Sequence, residues 1–200
     1  MKDEIISYLT ETYHPLALLI YGSYQRGDQD DLSDFDCMII VDSKDKKHDD
    51  TMFGNTQLDC FIFTVEETQA EDIDPFLTVY DSEIVYDNGA GAALKQRVQQ
   101  YVREHTTIDA EEKEFIVSWF KKTLRRMEKD DDEGNYRAVL LLWESLTDYF
   151  LLRDIFYFGS KWAVAQLKEK DIVGYTLYHK AISEKTLSSI RDWAQYVITL

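Results

Sequence analysis

The sequence predicts an α+β fold in which a mixed β-sheet is followed by an all-helical bundle. Short apolar and β-branched runs alternate with helical segments up to about residue 90, whereas residues 91–200 show only helical periodicity. All four tryptophans lie in that second half, at spacings that match buried helix faces. The chain has 200 residues and 44% of them are hydrophobic, which suffices for two small cores. We therefore expect two domains, residues 1–90 and 91–200.

The first half begins with a helix. Apolar side chains recur at helical spacing between Lys2 and Tyr13, and Pro15 ends the segment. Strands are predicted at 16–21, 35–42, 56–65 and 82–86, a helix interrupted near Pro75 at 66–80, and a turn at 87–89.

The second half predicts five helices. Asp109 is expected to cap the second of them, and acids follow it in the first turn, where the helix dipole favours them. The third carries a broad apolar face that includes Trp143. The acidic run 130–133 is expected to be a solvated loop that ends at Gly134. The helices are predicted at 90–105, 109–129, 135–157, 161–170 and 177–200, with a break in the last near Ser183.

Charge is distributed unevenly between the two halves. Residues 1–90 hold 21 Asp and Glu against 5 Lys and Arg, whereas residues 91–200 hold 17 of each sign. A field this negative repels nucleic acid backbones and attracts Mg²⁺ and cationic small molecules. This distribution argues against a polymerase or a tRNA-modifying enzyme, so we expect no nucleic acid partner. Simple solubility is the alternative explanation.

Several classes of protein are disfavoured by composition. No apolar stretch is long enough to span a membrane, and the N-terminal segment carries acids where a signal peptide needs positive charge. Cys37 and Cys60 lie in predicted strands and are expected to be reduced core residues of a cytoplasmic protein. The four histidines are scattered, which disfavours a structural zinc site.

Two aspartates indicate a metal site. Asp34 and Asp36 lie one residue apart beside an apolar run, Cys37 to Val41. Because side chains alternate along a strand, the two carboxylates are predicted to point the same way. Such neighbours repel each other unless a cation lies between them, and hard oxygen ligands favour Mg²⁺.

A glycine and a serine precede these carboxylates. Gly22-Ser23 follows the apolar run Leu18 to Tyr21 and lies before a predicted helical turn, with Ser23 eleven residues ahead of Asp34. Glycine lets the backbone approach a ligand, and the amides and the hydroxyl donate hydrogen bonds to phosphate. The two segments together predict a site for a metal-bound nucleoside triphosphate.

The ordered set of Gly22-Ser23 and Ser33-Asp34-Phe35-Asp36 resembles the signature of the polymerase-β-type nucleotidyltransferase superfamily. The resemblance implies a further carboxylate on a neighbouring strand, and Asp59 is the only acid inside the run 57–65. Asp59 shares one face of this strand with Phe61 and Phe63, and both faces are mostly apolar, so Asp59 is expected to be buried in a central strand. The alternative is a solvated position near the strand end or a pairing with lysine.

With a helical bundle after the sheet, the chain is similar to small-molecule nucleotidyltransferases, which include aminoglycoside and lincosamide adenylyltransferases. The resemblance implies an Mg²⁺-dependent enzyme that moves AMP from ATP to a hydroxyl of a small molecule and releases pyrophosphate. Antibiotic resistance is one role that this implies. The rivals are a protein-AMPylating or toxin-neutralising module and a non-catalytic nucleotide-binding protein. The resemblance also implies a homodimer, and the sequence leaves the oligomeric state open.

The resemblance implies a role for each site residue. Gly22 and Ser23 would hold the β- and γ-phosphates, and Asp34 and Asp36 would coordinate Mg²⁺. Asp59 would be the general base or a ligand of a second metal ion. The loop residue Arg26 is a candidate phosphate contact, and an exposed loop arginine is the alternative. A lysine of the helical half is expected to reach the phosphates, Lys161 first and Lys122 second.

Overall fold

The computed structural model describes residues 1–199, which form two compact units, 1–101 and 102–199. The prediction of a sheet-containing part followed by helices is confirmed. Helix α3 spans the division between the units, and the predicted domain boundary falls at its first residue. The assignment of 1–90 and 91–200 as domains stays a prediction.

The first unit is built on a mixed six-stranded sheet. Its strands run in the order β3-β5-β2-β1-β6, and β4 pairs with β5. Strands β2 and β5 are parallel, and the other pairs are antiparallel. The elements are α1 (Lys2–Tyr13), β1 (Ala17–Ile20), α2 (Gly22–Arg26), β2 (Phe35–Val41), β3 (His48–Asp49), β4 (Met52–Phe53), β5 (Thr56–Thr64), β6 (Glu83–Asp87) and α3 (Ala90–His105).

One face of this sheet packs against α1. Ile5 and Leu9 of the helix are fully buried against alternate residues of β1, β2 and β5, among them Cys37 and Cys60. Both cysteines are buried free thiols, as predicted. Period-2 alternation therefore assigns the remaining residues of β2 and β5, including Asp36 and Asp59, to the opposite face.

One prediction for the first unit is wrong, and one element was missed. The helix predicted at 66–80 is replaced by two short 3₁₀ helices, Glu67–Gln69 and Asp74–Val79. The guanidinium of Arg97 donates to the carbonyls of Thr68 and Ala70 at the end of the first of them. The hairpin that contains β3 and β4 was not predicted. It turns at Gly54-Asn55, where Gly54 has a positive φ of 61°.

The second unit is wholly helical. Its core surrounds Trp193, which is fully buried and donates from Nε1 to the Ser145 hydroxyl at 2.8 Å. The helices are α4 (Ala110–Met127), α5 (Asp132–Leu152), α6 (Ser160–Lys170), α7 (Ile172–Glu184) and α8 (Leu187–Val197). Asp109 caps α4 as predicted, accepting from the amide of Glu112. Within residues 1–199, no helix combines the length and the apolar character needed to cross a membrane.

Helix boundaries in this unit differ from prediction where side chains cap them. Helix α5 begins at Asp132, inside the predicted loop, because Asp131 accepts from the amide of Gly134 at 2.8 Å. Asp171 caps an unpredicted start of α7 in the same way. The break predicted near Ser183 is present and falls at residues 185–186. Trp143 is 83% exposed, so its predicted place on the buried face of α5 is wrong.

A buried carboxylate anchors the edge strand β3 to α1. Asp49 is 1% exposed and accepts hydrogen bonds from the Tyr13 hydroxyl and from the Thr51 hydroxyl at 2.8 Å, and Lys46 Nζ lies 3.1 Å away. Burial alone would raise the pKa of Asp49, but the hydrogen bonds from Tyr13, Thr51 and Lys46 outweigh it and hold the pKa below its ordinary 3.8.

Replacement of Tyr13 by Phe is expected to lower the free energy of unfolding by about 1–2 kcal/mol at pH 7, because the buried carboxylate loses one donor. Since the pKa of Asp49 is depressed in the fold, its contribution is present above its unfolded pKa and fades as the pH falls through the folded value. The difference between the variant and the parent should therefore shrink below about pH 4.

Urea unfolding at pH 7 and at pH 3 measures this. Tyr136→Phe is the matched control, since Tyr136 is 69% exposed and its loss of a hydroxyl should change stability by less than about 0.5 kcal/mol. Equal midpoints for both variants at pH 7 would contradict the anchoring role of Asp49.

Candidate active site

The parallel pairing of β2 and β5 brings two carboxylates together. In its register Asp36 lies directly opposite Asp59, so both side chains project from the same face of the sheet. Strand β2 begins at Phe35, so the exposed Asp34 lies one residue before it and not within it. The structure thus places Asp36 opposite Asp59 within the paired strands, whereas Asp34 lies just before the first residue of β2.

The backbone at Gly22 lies against the carboxylate of Asp36. The amide of Tyr21 donates to the Asp36 carbonyl at 3.2 Å, and α2 begins at the next residue. Gly22 has a φ of +70°, and a Cβ added there would lie 2.0 Å from Asp36 Oδ2. Both the conformation and the close approach require glycine at this position. The predicted glycine-serine segment and the predicted metal ligand therefore form one local arrangement.

Two tyrosines hold this segment in place. Tyr21 donates from its hydroxyl to the Cys37 carbonyl at 3.2 Å, and burial raises the pKa of this phenol well above its ordinary range. Tyr24 packs its ring 5.0 Å from that of Phe35, and its hydroxyl lies 3.3 Å from Thr56 Oγ1. Ser23 lies between the two anchors. Its position therefore depends on packing against β2 and β5, which sequence patterns do not show.

Asp59 is more exposed than predicted. Its side chain is 39% accessible, because the burial along β5 alternates and Asp59 lies on the outer face with Phe61. The expectation that it is buried is wrong. The faces themselves are as predicted, with Leu58 and Cys60 on the buried side.

Asp59 is paired with a histidine that the sequence reasoning missed. His48 Nε2 lies 2.6 Å from Asp59 Oδ1. His48 belongs to β3, which runs antiparallel to β5 and places His48 opposite Phe61. The Gly-Asn pair at 54–55 is a known two-residue hairpin pattern, and counting outward from it would have placed His48 beside this part of β5.

The loop between α2 and β2 is organised by its own polar residues. Arg26 is exposed and forms an ion pair with Asp28, with Nη2 at 3.1 Å from Oδ1. The Ser33 hydroxyl donates to Asp30 Oδ1 at 3.0 Å and accepts from the amide of Asp30. These bonds lie within the loop that precedes Asp34. The phosphate contact of Arg26 stays a prediction.

The two lysines assigned to the phosphates belong to the second unit. Lys161 is exposed in the first turn of α6, and Lys122 is exposed on α4. Their contact with a triphosphate stays a prediction.

The donor set fits Mg²⁺. Among the residues 1–199 no group of three or more His, Cys, Asp and Glu side chains is arranged as a complete metal site. Mg²⁺ does not require one, since it keeps several waters and takes one or two carboxylates together with substrate phosphates. Asp36 supplies one such carboxylate beside the predicted phosphate segment, and Asp34 is exposed two residues before it.

Replacement of Gly22 by Ala is expected to destabilise the protein more than the same change at Gly27. Both glycines have a positive φ, +70° and +79°, so both variants bear a strain of about 1–2 kcal/mol. At Gly22 the new methyl group also overlaps Asp36, whereas at Gly27 nothing lies within 4 Å. Urea unfolding of the two variants measures the difference. Equal losses would show that Asp36 does not lie against Gly22.

Comparison with known proteins agrees with this geometry. Among proteins with curated descriptions, none matches the chain. A family model described as "Nucleotidyltransferase domain" matches residues 2–179. This range contains Gly22-Ser23 and the three candidate site aspartates, Asp34, Asp36 and Asp59. The chain belongs to this nucleotidyltransferase family, of the polymerase-β-type superfamily.

Proposed function

We propose that the protein transfers AMP from ATP to a hydroxyl group of a small molecule and releases pyrophosphate. Family membership makes it a nucleotidyltransferase. One arrangement supports the proposed transfer of AMP. The backbone of Gly22 lies against the carboxylate of Asp36, and Asp36 lies opposite Asp59 on the same face of the sheet. This arrangement offers a phosphate-binding backbone, a metal-binding carboxylate and a second carboxylate in adjacent positions.

Each residue has a distinct task in this proposal. The segment Gly22-Ser23 binds the β- and γ-phosphates, and its tyrosine anchors keep it rigid. Asp34 and Asp36 would hold Mg²⁺, which neutralises charge on the triphosphate during in-line displacement. Asp59 accepts the proton of the acceptor hydroxyl as its oxygen bonds to the α-phosphorus. The bond from the α-phosphorus to the bridging oxygen breaks, and pyrophosphate leaves with the electron pair.

Charge supports a cationic acceptor. The first 90 residues carry a net charge of −16, and one of the acids, Asp31, is exposed in the loop that leads to Asp34. Such a surface concentrates polycations, which favours an aminoglycoside over the neutral or weakly basic lincosamides. Resistance to such an antibiotic is part of this proposal.

Replacement of Asp36 by Asn is expected to reduce transfer by at least about 100-fold, because one metal-binding carboxylate and its charge are lost. The fold should change little, since removal of one of two neighbouring carboxylates relieves repulsion. Ser23→Ala should have a smaller effect, about 10-fold, because the backbone amides remain. The measurement is the rate of label transfer from α-phosphate-labelled ATP.

Asp192→Asn is the matched control, since it removes the same charge from an exposed position on α8 of the helical unit. Its rate should stay within about twofold of the parent rate, as for an ordinary surface change. Full activity of the Asp36 variant would show that the metal site is assigned wrongly.

Removal of divalent metal by a chelator is expected to stop transfer, and added Mg²⁺ should restore it, because the triphosphate charge is otherwise unneutralised. The assay follows the label with a panel of aminoglycosides and lincosamides and with cell extract. Label in a small molecule supports the proposal. Label in protein would favour a protein-AMPylating module, and bound ATP without transfer would favour a binding protein.

A further inference from the structure

We propose that His48 is a positioning residue that orients the carboxylate of Asp59 towards the acceptor hydroxyl. This inference rests on the proposed function, and deepens it, because it assigns to the base a partner on a different strand. It starts from one contact, in which His48 Nε2 lies 2.6 Å from Asp59 Oδ1. An ionised carboxylate only accepts hydrogen bonds, so Nε2 carries the proton and donates it to Oδ1.

The imidazole ring is held on two sides. Besides its bond to Asp59, it packs against the ring of Phe61, with centroids 4.7 Å apart and planes tilted by 41°. His48 and Phe61 are direct partners in the antiparallel register of β3 and β5. These two contacts together define the position of the ring, and its donor nitrogen points at the carboxylate of Asp59.

The backbone of His48 is fixed from the opposite side of the sheet. The next residue, Asp49, is 1% exposed and is bound by Tyr13, Thr51 and Lys46. Because successive side chains of a strand alternate, the anchored Asp49 places His48 on the face that carries Asp59. The carbonyl of Lys47 also accepts from the amide of Ile62 at 2.9 Å, which ties this segment to β5. A two-residue strand is thus held firmly enough to position a side chain.

The hydrogen bond from His48 gives the carboxylate of Asp59 a defined orientation. Rotation about the last bond of an aspartate side chain is broad, and the side chain of Asp59 is 39% exposed. One donor on Oδ1 selects an orientation and leaves Oδ2 to face the acceptor. Misplacement of a reacting group by about 1 Å lowers rates about 100-fold, so a fixed carboxylate should transfer protons far more effectively.

Two substitutions separate this role from a structural one. His48→Phe keeps an aromatic ring against Phe61 but removes the donor, whereas His48→Gln keeps an amide donor but removes the ring. Orientation of Asp59 predicts that His48→Phe lowers kcat by about 10- to 100-fold, with KM for ATP within about twofold, and that His48→Gln retains most of kcat. A role only in hairpin packing predicts the reverse order.

The same pair of changes at His179 is the matched control. His179 is exposed and its ring stacks on Tyr175 at 5.8 Å, so His179→Phe and His179→Gln repeat the chemistry away from the β3-β5 pair. Both should leave kcat and KM within about twofold. Transfer is followed with α-phosphate-labelled ATP, Mg²⁺ and the aminoglycoside that the parent protein labels best.

A second readout does not depend on turnover. In ¹⁵N-histidine NMR spectra of the parent protein, His48 should show a proton on Nε2, and Asp59→Asn should shift that resonance while the resonances of His179 stay in place. Transfer by the parent with unchanged kcat in His48→Phe would overturn the positioning role alone. An unshifted Nε2 resonance would also overturn it. A parent protein that labels no member of the panel would overturn the proposed function and this inference with it.

Discussion

The parallel pairing of β2 with β5 is the constraint on which the rest of the site depends. It sets Asp36 opposite Asp59 on one face and Cys37 opposite Cys60 on the other, where both thiols are buried. A slip of one residue would carry a carboxylate into the apolar core and a thiol to the outer face. The register that buries the apolar side chains is therefore also the register that places the reacting groups. The hydrophobic effect that stabilises the sheet also stabilises this position of the carboxylates.

The elements around this pair stabilise it from both sides of the sheet. Tyrosines anchor the glycine-serine segment to β2 and β5, and Gly22 allows its backbone to approach Asp36. On the far edge, Asp49 is buried under α1 and holds β3, whose other face presents His48 to Asp59. Each candidate site residue in these segments thus has a neighbour in the sequence that anchors it to the fold. Such support is expected for groups that must keep a fixed orientation in an exposed position.

Much of the fold and part of the site follow from local patterns. Apolar spacing located α1 and α3, and alternation gave the correct faces of β5, because both depend only on the geometry of single elements. The 3₁₀ helices at 67–69 and 74–79 and the early start of α5 were missed, because Arg97 and Asp131 satisfy backbone groups there through contacts that periodicity does not describe. Trp143 was placed in a core because hydrophobicity alone does not say which helix face finds a partner.

The amino-acid sequence by itself determined which residues are available for chemistry. It supplied a glycine-serine segment, two aspartates at strand spacing and a lone acid within the strand that became β5, and these identify the family. Tertiary structure determined how exposed Asp59 is and which side chain it meets. Its partner His48 comes from another strand, and the exposure of Asp59 depends on which face of β5 is covered by α1. Burial and cross-strand contacts arise only when separate elements pack, so no pattern within one element encodes them.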